Sequence, residues 1–182
     1  VSDNVPLLVQ ANFMGINYNK IIPPVNDIQN KVQEITVFNS TKNVNSIDIK
    51  SLMQIIRTKE EIIINKIYLF ANSSNPPVSY FNPDNFFEIY VPSEALGIYG
   101  QLTQNNSKMG IPLTLPQGKK GKAIDRAILP GSSELQVTYS LPAKNLADIE
   151  FEDRMLFEQN KKGLVVFLKP KDIQIKIHGA KE

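Results

Sequence analysis

The chain has 182 residues, no Cys, no Trp, one His and a formal charge of +2. The missing Cys excludes a disulfide framework, zinc–thiolate sites and a thiol nucleophile, and the near balance of charge argues against nucleic acid as a partner. At 42% hydrophobic the chain can bury the core of one ordinary domain or two small ones, and it has no apolar run of the ~18 residues a transmembrane helix needs.

The chain opens Val1-Ser2-Asp3-Asn4, which fits a processed or trimmed start. Lys31 to Phe38 reads as a strand because β-branched residues dominate it, with Ile35 and Val37 on one face. It ends in the turn-type cluster 39–43. Ile47 and Ile49 alternate with Asp48 and Lys50, as in a half-buried strand. The segment 51–70 has some helical spacing at Leu52, Ile55 and Ile56. The strand-like runs Ile62-Ile63-Ile64 and Ile67-Tyr68-Leu69-Phe70 favour two strands with a turn near Lys59-Glu60-Glu61. Ser93 to Leu96 fits one helical turn with Ser93 as its N-cap.

Pro130-Gly131 suits a type II turn, in which Gly supplies the positive φ. After it Leu135, Val137 and Tyr139 face one way, and Gln136, Thr138 and Ser140 the other, until Pro142. Leu164 to Leu168 is a continuous apolar run, as expected of a central strand covered on both faces. Ile173, Ile175 and Ile177 share one strand face. Many short strands punctuated by Pro, with no long amphipathic helix, indicate a β-sandwich.

Chemistry-bearing motifs are few. The stretch from Asn72 to Phe87 is polar and aromatic, and its Tyr80, Phe81, Asn82, Asp84 and Asn85 are the candidate ligand-binding residues. The plainer reading is a connection whose aromatics close one end of the core. Asp84, Asp125, Asp148 and Asp153 carry oxygen ligands suited to calcium, without EF-hand spacing. Glu150 and Glu152 have the chemistry of a glycosidase pair, but alternation puts both on one strand face with Phe151 opposite, and they read as a solvated face. The basic loop 118–122 lacks a Walker sequence, since Ala123 stands where Ser or Thr is needed, and reads as a hairpin tip. Asn39, Asn72 and Asn105 begin formal glycosylation sequons in an Asn-rich chain. His178, followed by four residues, is the sole imidazole for any His-dependent mechanism and lies where chains fray.

Three segments carry a resemblance. They are Leu69-Phe70-Ala71-Asn72-Ser73-Ser74-Asn75-Pro76-Pro77 with Phe87-Glu88-Ile89-Tyr90-Val91-Pro92, then Met109-Gly110-Ile111-Pro112-Leu113, then the run from Leu129 to Pro142. Gly15-Ile16-Asn17-Tyr18 and Ile35-Thr36-Val37-Phe38 also fit. Over roughly residues 5–170 the chain resembles uncharacterised bacterial exported β-sandwich proteins that often carry a carboxypeptidase regulatory-like domain before this region. The resemblance implies an extracytoplasmic place (periplasm, cell envelope or secreted) and brings no catalytic residues. Some members carry a transmembrane helix after the region, so membrane anchorage would lie outside this sequence.

The expected fold is all-β, an immunoglobulin-like β-sandwich of one or two units. Residues 1–59 would supply strands that pack on or complete a sandwich formed by 60–182. The expected function is a non-enzymatic extracytoplasmic binding or assembly module with a protein or glycan partner. The alternative is a carbohydrate-binding module using the 79–90 loop. No catalytic residue, cofactor or metal is expected.

Overall fold

Period-two patterning becomes backbone pairing over most of the chain. The computed structural model describes residues 5–104, 110–142, 151–156, 165–174 and 176. Strand β1 (Leu7–Phe13) and β2 (Ile16–Ile22) form a hairpin. Its two turn residues, Met14 and Gly15, have φ of 51° and 77°, the positive pair that a tight two-residue hairpin turn requires. A four-residue helix α1 (Asn26–Gln29) follows. Then come β3 (Ser40–Thr41), β4 (Ile47–Arg57), β5 (Glu61–Asn72), β6 (Ser79–Tyr80) and β7 (Phe87–Ile89). The remaining strands are β8 (Leu96–Gln104), β9 (Ile111–Leu113), β10 (Lys122–Ile124), β11 (Gly131–Pro142) and β12 (Val165–Leu168).

The main sheet has six strands in the order β12-β4-β5-β11-β8-β9. All its pairings are antiparallel except β12 with β4. The register stacks side chains in rows. Ile55, Ile64 and Tyr139 share one row of the inner face, and Met53, Lys66 and Val137 the next. The inner face is buried, while Gln54, Asn65 and Thr138 form a hydrogen-bonded polar row on the outer one. Packed on the inner face are residues from the second layer, including Ile89, Ile124 and Ile128. This layer contains the small sheets β10–β7 and β3–β6. The described protein is therefore nearly all β, with its sheets packed together.

The N-terminal hairpin has its own smaller cluster of Ile16, Tyr18 and Ala127, covered by Ile35, Phe38, Phe81 and Leu129. The Tyr18 hydroxyl anchors it, donating to the Phe38 carbonyl at 2.9 Å and lying 3.1 Å from the buried Ser79 hydroxyl. Strands β4 and β5 meet through a tight Thr58–Glu61 turn, as the sequence leads one to expect, and pair along their length. Leu135, Val137 and Tyr139 are buried on one face as expected, and Gly131 has a φ of 96°.

Several expectations need correction. Lys31 to Phe38 is in no strand. Its backbone is held by side chains instead: Lys20 donates to the Glu34 carbonyl, and the Phe38 amide donates to the Tyr18 hydroxyl. Ser93 and Glu94 form a turn closed by the Ala95 amide on the Pro92 carbonyl, not a helix, and Leu96 already begins β8. The apolar run ending at Leu168 is an edge strand, with Leu168 exposed. Ile173 lies outside the strands, packed against the main core, while Ile175 and Ile177 fall outside the described residues. Asn72 is buried and donates to the Val78 and Ile128 carbonyls, so it is no glycan acceptor.

Candidate functional site

A cleft of about 90 Å³ opens where the N-terminal hairpin meets the β8–β9 end of the main sheet. Its polar lining comes from Gln10, Asn17, Asn19, Gln104, Asp125 and Arg126. Phe81 and Leu129 supply apolar walls. The local folding explains the assembly. The tight turn at Gly15 brings β2 back beside β1, and Phe81 packs against that glycine, its Cε1 at 3.7 Å from where a Cβ would stand. Gln104 is fixed by donating to the Ala127 carbonyl at 2.7 Å. Asp125 follows β10 directly, and its Oδ1 is buried with no hydrogen-bond partner. An unpaired buried acceptor costs about 1–3 kcal/mol, and the residue that carries it lines the cleft. One carboxylate and one guanidinium leave the lining near neutrality, which suits an uncharged, hydroxyl-rich ligand better than an ion.

Of the five candidate residues, Phe81 alone lines this cleft. Tyr80 lies in β6 and pairs with Ile128 through backbone hydrogen bonds of 2.9 Å. Burial raises its hydroxyl above the usual phenol range, against a hydrogen bond from the Asn82 side chain. Asn82 is half-buried, and its Oδ1 has no partner. Asp84 is exposed and pairs with Lys42 at 2.5 Å, which holds its carboxyl below the usual range. Asn85 is exposed in the turn that its amide closes on the Asn82 carbonyl. The loop thus gives this cleft Phe81, and the other four candidates lie outside its lining.

The calcium-type carboxylates are likewise separated. Asp84 is on Lys42, Asp125 is in the cleft and Asp153 is on Lys66. Asp148 lies outside the described residues. No metal-type cluster exists among the described residues. Glu150 also lies outside them, and Glu152 pairs with Arg154 in a segment that is not a strand.

The basic loop 118–122 is tied down rather than free. The Glu88 carboxylate accepts the amides of Lys119, Lys120 and Gly121 at 2.8, 2.6 and 2.8 Å. Partial burial works to raise the Glu88 pKa, but these three amides and the Lys119 charge together bring it below its ordinary 4.5. A carboxyl with a depressed folded pKa stabilises fully above its unfolded value, and that stability fades as pH falls through the folded one. Glu88→Gln should therefore lower the melting temperature at pH 7, with the gap closing as the pH falls below the ordinary 4.5. A gap that persists unchanged at low pH would show that the carboxylate charge is not what holds the loop.

A second constellation sits in the main core. Lys66 projects from the middle of β5 onto the inner face and is only 2% exposed. Its Nζ donates to the Tyr90 carbonyl at 2.8 Å and contacts Asp153 Oδ1. The rings of Tyr139 and Tyr90 lie 5.6 and 5.9 Å from Nζ. Burial lowers the Lys66 pKa, with Asp153 opposing. Burial keeps the Tyr68 and Tyr139 hydroxyls protonated, and the Asp153 charge adds to the effect. The sequence does hold a signal for Lys66: it occupies a position in phase with the buried Ile62, Ile64, Tyr68 and Phe70. The cleft residues other than Phe81 have no such signal.

No family model matches the chain, and neither a curated protein nor a solved structure matches it.

Proposed function

We propose that the chain is a non-enzymatic, extracytoplasmic binding module of immunoglobulin-like type, taking an uncharged saccharide or similar polyol in the cleft beside Phe81. The unpartnered Asp125 Oδ1, set among amide side chains and an aromatic wall, carries this reading. Amides and a carboxylate can each bond two hydroxyls of a ring, and Phe81 offers an apolar surface to the ring's C–H groups. The extracytoplasmic place rests on the resemblance given above. The sandwich reading is supported by the nearly all-β structure and its packed sheets. The binding surface is thereby shifted from the 79–90 loop as a whole to a cleft to which that loop contributes one residue.

A glycan array followed by calorimetric titration should find a saccharide ligand. Asp125→Asn and Phe81→Ala should each weaken binding by about tenfold or more, the equivalent of one charge-assisted hydrogen bond or one lost ring contact. An array without binders, or affinities unchanged in both variants, would remove the cleft as the site. Robust turnover in a hydrolase screen would count against the non-enzymatic reading.

A further inference from the structure

The Lys66–Asp153 contact differs from a surface ion pair in its surroundings. Lys66 stands in the centre of the main sheet, flanked in register by Met53 and Val137. Asp153 belongs to the strand-free segment 151–156, and 87 residues separate the two partners. Lys66 is 2% exposed and the Asp153 side chain 25%, so the lysine end carries the desolvation cost, which offsets much of the attraction. One more feature has no place in a simple ion pair. The Tyr139 hydroxyl, on the neighbouring strand β11, is buried and has no hydrogen-bond partner. A buried hydroxyl left unpaired in the ground state is costly, and a role in a reaction at this spot would account for it.

We propose that Lys66 and Asp153 condense into an intramolecular amide cross-link, with Tyr139 as the proton donor. The step needs no oxidant or cofactor. With Lys66 buried beside the Tyr90 and Tyr139 rings and the Asp153 side chain still 25% exposed, the ammonium passes one proton to the carboxylate, giving a neutral amine and a carboxylic acid. The Tyr90 carbonyl holds one N–H of the amine at 2.8 Å, which orients the lone pair toward Asp153. Nζ attacks the Asp153 carboxyl carbon, and the tetrahedral oxygen is met by the Tyr139 hydroxyl. The C–O bond then breaks. The departing oxygen leaves as water with the carboxyl proton and one amine proton, and Tyr139 ends as it began. The balance is one ammonium and one carboxylate to one amide and one water. Holding both groups in contact supplies the effective concentration that free amines and acids lack. The depressed basicity of Lys66 favours the neutral amine that must attack.

The product would fasten segment 151–156 covalently to the central strand β5. This inference is independent of the cleft and its ligand. It is tested by the intact mass of the 182-residue chain, kept folded at neutral pH and then fully denatured. The expected result is a species lighter than the sequence mass by one water, and a digest containing one branched peptide that joins Lys66 to Asp153. Lys66→Arg and Asp153→Ala should each retain the full sequence mass. Tyr139→Phe, which removes a hydroxyl without a partner, should slow the loss of water by about 100-fold, the lower range for general acid catalysis. A wild-type chain that keeps its full mass after prolonged folding overturns the proposal. So does a water loss that persists in Lys66→Arg, or one that maps to other residues. An unchanged rate in Tyr139→Phe removes the donor role given to that tyrosine.

Discussion

Replacing Ile64 by Ala should destabilise the fold by about 2–5 kcal/mol, the range for truncating a fully buried aliphatic side chain. Ile64 is 0% exposed, and it sits on the inner face between Ile55 of β4 and Tyr139 of β11. Neighbours on both sides are strands of the same sheet, so the backbone cannot collapse into the space, and a cavity remains. Its sequence neighbour provides the control. Ile63 points to the outer face and is only half-buried, so Ile63→Ala should cost about 1 kcal/mol. Denaturant midpoints at unchanged m-value will read both. Equal losses at the two positions would mean that the outer face is covered as fully as the inner one.

Gly121→Ala should be almost as damaging, at about 3 kcal/mol, the upper end of the usual cost of overpacking. A Cβ at this position would lie 2.2 Å from the Ile89 carbonyl oxygen and 2.6 Å from Leu156 Cδ1. The side chain of Leu156 can yield, but the backbone of Ile89 is held by the β7–β10 pairing. Any shift would also strain the amide that Gly121 gives to Glu88 and the 2.7 Å bond its carbonyl accepts from Gly118. Gly97 separates lack of space from backbone preference. Its φ is 59°, but nothing lies within 4 Å of its would-be Cβ. Gly97→Ala should therefore cost only the about 1–2 kcal/mol of a left-handed alanine. Thermal melts that rank Gly97→Ala as the worse variant would show that close approach at Ile89 is not what demands glycine.

The strands were legible where alternation and burial coincide. In β11 the period of two separates Leu135, Val137 and Tyr139 from Gln136, Thr138 and Ser140, and the structure buries the first set. The same holds for Ile47 and Ile49 in β4. Lys31 to Phe38 shows why composition falls short. Its β-branched residues suit an extended chain, and it receives hydrogen bonds from Lys20 and Tyr18, yet it joins no ladder. Val165–Leu168 errs in the other direction, since an apolar run does not say whether one neighbour or two will pair with it.

The candidate site was legible only through Phe81. Aromatics in a polar loop mark a surface worth testing, but they do not say which of them will face a cleft. Asp125, Gln104 and the hairpin amides carry no pattern that links them, and they meet because the β1–β2 hairpin packs beside the β8–β9 end of the main sheet.

By itself the sequence determined the all-β character, the β4–β5 hairpin, the alternation in β11 and the absence of thiol chemistry. These are local properties: side-chain direction repeats every two residues, and composition needs no neighbours. Tertiary structure alone decided the strand order, the edge position of β12, the cleft around Asp125 and the meeting of Lys66 with Asp153. Each depends on segments far apart in the chain, whose contact is selected by the summed burial of whole faces rather than by any residue's own preference.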